Sequence, residues 1–154
     1  MPVKLIKIES LLGLPAQVFS DVKKLDQNFF PTPWTQESWD GLFIEKERHF
    51  LTLGLEEKDL LGFSLFETFV ADSFAHLLKI IVDPEKRVKG VGKEILSFSI
   101  NELKRLGIKN FFLEVEEKNH AAIALYEHFG FKVIHHKKHF YSNGENALIM
   151  TLGA

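Results

Sequence analysis

Apolar positions along this chain follow two different periods, and the places where the period changes mark out its elements. Residues 3–8 read as a short opening strand. From residue 14 to about 28, Val18, Val22 and Leu25 recur at helical spacing. Pro31-Thr32-Pro33 must interrupt that helix, because proline removes an amide donor and restricts the residue before it. Thr35 is then placed to cap a second helix running from Gln36 towards Glu45. Two strands follow, about 50–56 and 60–71, joined by the polar turn Glu57-Lys58-Asp59. Another apolar run covers 76–82 and ends at Asp83-Pro84. From Gly90 the pattern turns helical again, with Val91, Ile95, Leu96, Leu103 and Leu106 on one face and Gly107 as the stop. Residues 110–115 form a strand, 119–129 a short helix stopped by Gly130, and 131–136 and 147–152 two closing strands. The order β-α-α-β-β-β-α-β-α-β-β predicts an α/β or α+β sheet with helices on both faces.

Composition narrows the function. The 154 residues fit one domain spanning 1–154, and an apolar content of 45% with 15 Phe supports a sizeable core. A formal charge of −2 lacks the basic excess of a non-specific nucleic-acid binder, so no nucleic-acid partner is expected. The chain has no Cys, which excludes disulfides, thiolate zinc sites and a cysteine nucleophile. No stretch approaches the roughly 20 apolar residues that span a bilayer, and residues 1–7 do not read as a signal peptide. The expectation is a soluble cytoplasmic protein, monomer or homodimer, with no membrane partner.

The candidate chemistry lies in the middle of the chain. Residues 82–92 join a strand to a helix start, and helix N-termini offer unpaired amides and partial positive charge to an anion. Gly90 and Gly92 would let a phosphate approach the backbone, and Lys86, Arg87 and Lys89 add local positive charge. The spacing fits neither a P-loop nor a dinucleotide fingerprint. Read on these residues alone, a tight β–α turn with solvated basic side chains is an equal alternative.

Arg87-Val88-Lys89-Gly90-Val91-Gly92 resembles the Arg/Gln-x-x-Gly-x-Gly/Ala signature of the GNAT superfamily. Three further stretches resemble its ribosomal-protein-alanine N-acetyltransferase (RimI-type) branch: Phe112-Leu113-Glu114-Val115, then Asn119-His120-Ala121-Ala122-Ile123-Ala124-Leu125-Tyr126-Glu127, then Phe129-Gly130-Phe131. Pro33-Trp34-Thr35 and Ala147-Leu148-Ile149-Met150 look like the same branch, so the resemblance spans nearly the whole chain. It implies a GNAT fold: a central mixed, mostly antiparallel sheet of about seven strands flanked by about four helices. It also implies acetyl-coenzyme A as acetyl donor. The pyrophosphate would lie on Arg87, Val88, Lys89, Gly90, Val91, Gly92 and Lys93, and the pantetheine arm along Ile80, Ile81 and Val82. Asn119 and Tyr126 would also lie near the cofactor. No metal is implied.

The resemblance makes Glu114 the general base and Tyr126 the general acid that protonates the coenzyme A thiolate. Without it, Glu114 reads as an outward strand carboxylate beside Glu116 and Glu117, Tyr126 as a core aromatic, and Asn119 as a helix cap. The implied acceptor is a protein or peptide N-terminus, with a ribosomal protein as one candidate. A lysine or small-molecule amine is the first alternative, and a non-catalytic coenzyme A-binding module the second. The acidic trio Glu114, Glu116 and Glu117 could attract a cationic acceptor. The loop 139–147 departs from relatives: it lacks their Tyr-Tyr-Pro run and has Asn146 in place of an aspartate, which leaves acceptor identity open.

Two clusters carry plainer readings. His135 to His139 spans about 13 Å in an extended strand, too far for shared metal ligation. Phe29, Phe30, Trp34 and Trp39 either line an acceptor pocket or pack the first two helices on the sheet.

Overall fold

The computed structural model describes residues 3–8, 14–44, 48–86 and 89–153. Helix α1 (Ala16–Phe29) follows Pro15 and buries Val22, Leu25 and Asp26. Its end is closed by the Phe30 amide on the Asp26 carbonyl at 3.1 Å, with Pro31 next in line. Helix α2 (Gln36–Asp40) opens on Thr35, whose hydroxyl accepts the Ser38 amide at 3.1 Å. It stops at Asp40, short of the expected reach towards Glu45, which lies outside the described residues. Phe43 takes a φ of 69°, which a right-handed helix does not allow, and the turn sends Leu42 and Phe43 into the core.

The seven strands are β1 (Lys4–Ile8), β2 (His49–Glu56), β3 (Asp59–Phe69), β4 (Phe74–Val82), β5 (Asn110–Glu116), β6 (Lys132–Lys137) and β7 (Ala147–Gly153). Strand β3 ends two residues earlier than the apolar pattern predicts, because Val70–Asp72 form a 3-10 turn and Ser73 is left-handed at φ 59°. They lie in one sheet in the order β1-β2-β3-β4-β5-β7-β6. Every neighbouring pair is antiparallel except β4 and β5. Helix α3 (Val91–Arg105) connects those two, and α4 (His120–His128) follows β5.

Helices cover both faces. On one, Leu96, Ile100 and Leu103 of α3 pack with Phe66, Leu77, Phe111, Leu113 and Met150. On the other, Val22, Leu25 and Trp39 pack with Leu51, Leu53, Phe63 and Leu65. Each fully buried side chain of this size contributes roughly 1.5–3 kcal/mol. Leu106 does not join the α3 face as its position predicts. It caps the helix after Arg105 and is 47% exposed. Beneath α3, the Ser99 hydroxyl meets Thr52, Ser64 and the Ile95 carbonyl at 2.7–2.8 Å. With one proton and two lone pairs, it serves all three only because a neighbour donates to it.

The parallel pairing of β4 and β5 is short, running from Phe74↔Asn110 to Leu77↔Leu113. Immediately beyond, β4 carries a bulge against β3: Leu65 faces Lys79 and Phe66 faces Leu77, so Leu78 is the extra residue. A bulge bends its strand and increases the local twist. Here it coincides with the point where the two strands part, and β5 continues to Glu116 paired only with β7.

Candidate active site

The parting strands open a cleft of about 450 Å³. Leu77–Val82 line one wall from β4 and residues 114–116 the other from β5. Asn119, Ala122 and Tyr126 enter from α4, residues 29–32 from the end of α1, and Tyr141 and Asn143 from the β6–β7 loop. Ile80, Ile81, Val82, Glu114, Asn119 and Tyr126, all singled out in the sequence, thus meet in one place. Asn119 also caps α4, its side chain accepting the Ala122 amide at 3.1 Å. Its capping role is therefore met, and its side chain borders the cleft.

The expected phosphate cradle falls in the connection between β4 and the start of α3, and Val82 and Pro84 at its β4 end line the cleft. Arg87 and Val88 lie outside the described residues. Gly90 holds the N-cap of α3 in the left-handed region at φ 79°, with no side-chain cap. A Cβ placed on it would meet nothing within 4 Å, so the backbone there faces open space. The first amides of α3 have no carbonyl one turn back to donate to. Lys89 and Lys93 are exposed, while the Val91 side chain packs with Leu61 and Ile95. Of Val91, only the backbone can serve a ligand.

Glu114 is half-buried and bonded: His76 Nε2 lies 2.7 Å from its Oε1. Tyr126 is 5% exposed and packs against Phe131. Burial, with a smaller contribution from Tyr141, pushes its phenol pKa well above the ordinary tyrosine value. Tyr141 is pushed up to about 12 by burial first, then by the Glu114 and Glu116 carboxylates. Both phenols are therefore neutral donors at physiological pH.

The acidic trio is divided. Glu114 and Glu116 line the cleft, whereas Glu117 turns to the β6–β7 loop. Its Oε1 accepts from Asn146 Nδ2 at 2.7 Å and its Oε2 meets His136 Nε2 at 2.8 Å. Asn146 first, and His136 after it, hold the Glu117 carboxyl below the ordinary glutamate value. Asn146 also accepts the His139 amide at 2.8 Å, so it anchors the loop. The aromatic cluster is divided as well: Phe29 and Phe30 line the cleft, while Trp39 is 2% exposed in the core with Trp34 packed against it.

Sequence reasoning missed two features of this site. Lys79, on β4, is bonded to Asp26 of α1 at 2.8 Å and to the Thr32 carbonyl at 3.3 Å, beneath the Phe30 ring. Burial pulls the Lys79 pKa down and the Asp26 carboxylate opposes it. His76 is the other, and only the pairing of β4 with β5 could have brought it to Glu114. Among the described residues, no three His, Asp or Glu side chains are placed to hold a metal ion. No helix there is long and apolar enough to cross a membrane.

Comparison with known proteins gives the family and the fold. Residues 19–131 match the Acetyltransferase (GNAT) family. The [ribosomal protein bS18]-alanine N-acetyltransferase of Salmonella typhimurium is 32% identical over 150 residues, covering 96% of this chain and 95% of that one. The crystal structure of the ribosomal-protein-S18-alanine N-acetyltransferase from Escherichia coli superposes with a TM-score of 0.81 at 26% identity, over 97% of this chain and 94% of that one. NAA60 of Arabidopsis thaliana, solved in complex with acetyl-CoA, shares the fold with a TM-score of 0.81 at 13% identity, over 99% and 98% of the two chains.

Proposed function

The chain belongs to the GNAT acetyltransferase family, in the branch of the ribosomal-protein-alanine N-acetyltransferases, and from that premise we propose that it acetylates the α-amino group of a protein N-terminus with Glu114 as base and Tyr126 as acid. The enzyme is an acetyl-CoA-dependent N-acetyltransferase. The observation that carries the assignment of roles is that Glu114 and Tyr126 line the same cleft, where β4 and β5 part.

The residues present fit acetyl-CoA. Gly90 leaves the start of α3 open, which suits a pyrophosphate on its free amides. Lys89, Gly90, Val91, Gly92 and Lys93 would hold that group, joined by Arg87 and Val88. Along β4, the residues Ile80, Ile81 and Val82 lie beyond the last pairing with β5, so this strand edge is available to the amide-bearing arm. Asn119 would border the same arm. When bound, acetyl-CoA supplies an electrophilic thioester carbonyl and a thiolate leaving group.

The protein's part is to orient an amine and move two protons. An α-amino group with a pKa near 7.8 is already about one-quarter neutral at pH 7.4, whereas a lysine amine is neutral only about 0.1% of the time. An α-amino acceptor therefore asks little of a carboxylate base. Glu114 accepts the amine proton, directly or through a water. The Tyr126 hydroxyl, kept protonated by burial, donates to the departing sulfur. With no Cys in the chain, the amine attacks the thioester directly and no acetyl-cysteine forms. Glu114 and Glu116 together make the cleft attractive to a cationic acceptor end. The curated relatives act on a ribosomal protein, which makes a ribosomal N-terminus the first candidate acceptor and the cytoplasm the place of action.

The test uses acetyl-CoA with two peptides read by mass spectrometry. One has a free N-terminal Ala and no lysine; the other has a blocked N-terminus and an internal lysine. Acetylation of the first alone is expected. Acetylation of the second alone overturns the N-terminal reading.

A further inference from the structure

We propose that His76 is a positioning residue for Glu114, holding the carboxylate in the orientation the reaction needs; the inference rests on the reading of Glu114 as the base. His76 stands on β4 opposite Phe112 of β5, within the short stretch where the two strands still pair. Glu114 comes two residues further along β5, on the same side as Phe112. The imidazole lies flat on the Phe112 ring, with centroids 4.1 Å apart and planes 12° from parallel. That stacking fixes the ring plane, and the ring's Nε2 then falls 2.7 Å from Glu114 Oε1. An ionised carboxylate only accepts, so Nε2 carries the hydrogen and donates.

Glu114 lines the cleft and His76 does not. The carboxylate is therefore gripped from behind by one oxygen, and its other oxygen is left for the amine proton. Both side chains are about one-fifth exposed, at 19% and 22%, which shields the bond from competing water. A glutamate without such a grip samples several rotamers, and a base displaced by about 1 Å can cost on the order of 100-fold in rate. Phe112, His76 and Glu114 form one stack-and-bond unit, and of the three Glu114 is the one that lines the cleft.

Three variants test this. His76→Leu removes the donor while keeping the bulk; His76→Gln places an amide nitrogen near the position of Nε2; His76→Asn stops short of Glu114. Steady-state rates on the N-terminal peptide are measured alongside acetyl-CoA binding and thermal unfolding. His76→Leu and His76→Asn are expected to lose about 10- to 100-fold in kcat, with acetyl-CoA affinity unchanged. His76→Gln is expected to recover most of that loss. On a Glu114→Gln background, His76→Leu should add nothing. A wild-type kcat in His76→Asn, or His76→Gln as impaired as His76→Asn, overturns the proposal. These two carry the decision if His76→Leu unfolds. A fully active Glu114→Gln enzyme overturns the base reading and this inference with it. An inactive Glu114→Gln enzyme beside an unimpaired His76→Asn enzyme overturns the role of His76 alone.

Discussion

The Lys79 ammonium sits 2.8 Å from Asp26 Oδ1, and neither side chain reaches solvent. The other oxygen of Asp26 accepts the Trp34 amide and the Trp39 indole N–H, each at 2.8 Å. One carboxylate thereby ties β4, α1 and α2 together behind the cleft wall that Phe30 and Thr32 form. Removing it strands a buried ammonium and two N–H donors. Asp26→Ala is expected to cost about 3–5 kcal/mol, because breaking a buried pair leaves an uncompensated charge. Urea unfolding midpoints at constant slope measure this, and Asp26→Leu combined with Lys79→Met should recover part of the loss.

The alkaline behaviour of the rate follows from Tyr126. Its folded pKa lies above the ordinary value of about 10. The folded protein thus keeps this proton where the unfolded chain loses it. Its contribution to stability is full below about pH 10 and is lost as pH rises through the raised folded value. Over the same range the acid stays protonated, so kcat should show no fall from tyrosine ionisation up to about pH 10. Tyr126→Phe should lower kcat by about 10²–10⁴-fold at every pH measured.

Gly90 separates folding from donor binding. Its left-handed φ makes Ala cost about 1–2 kcal/mol in stability. An added Cβ meets no protein atom within 4 Å, and the open space it would enter is where the proposed donor phosphates would lie. Gly90→Val should therefore weaken acetyl-CoA binding about tenfold or more, beyond what its stability loss of roughly 1–2 kcal/mol explains. Isothermal titration beside thermal unfolding separates the two effects.

The β6–β7 loop hangs on Glu117. Asn146→Ala removes the bond at 2.7 Å that orients it, and Tyr141 rides on the same loop into the cleft. The acceptor KM should rise several-fold while acetyl-CoA affinity holds. Because the folded Glu117 pKa is depressed, its stabilisation is present above the ordinary glutamate range and lost as pH falls through the lowered value. Unfolding of the wild type should therefore be more acid-sensitive than unfolding of Asn146→Ala across that window.

Most of the fold was legible because its elements carry strong periodicity: α3 shows its buried face in Val91, Ile95, Leu96 and Leu103, and all seven strands appear in the apolar runs. Asn119 was legible as a cap because capping is local. What escaped the sequence depends on which strands lie side by side. His76 and Glu114 are 38 residues apart, and Lys79 and Asp26 are 53 apart, so no local pattern joins them. That α2 does not resume towards Glu45 turns on the positive φ of Phe43, a residue type that gives no warning of it. Leu106 shows the limit of periodicity, which does not register where a helix stops.

The parallel pairing of β4 and β5 makes a seam between two half-sheets, and it is only four residue pairs long. The ladder is backed by an oily keel beneath, a single apolar cluster in which α3 side chains join Leu77 from one half and Leu113 and Val115 from the other. Side-chain volume in that keel thus bears on the gape of the cleft. Trimming Leu77 or Leu113 would slacken the jaws from below without touching a polar atom of the site, and a ligand spanning both strands would act as a stitch across the seam.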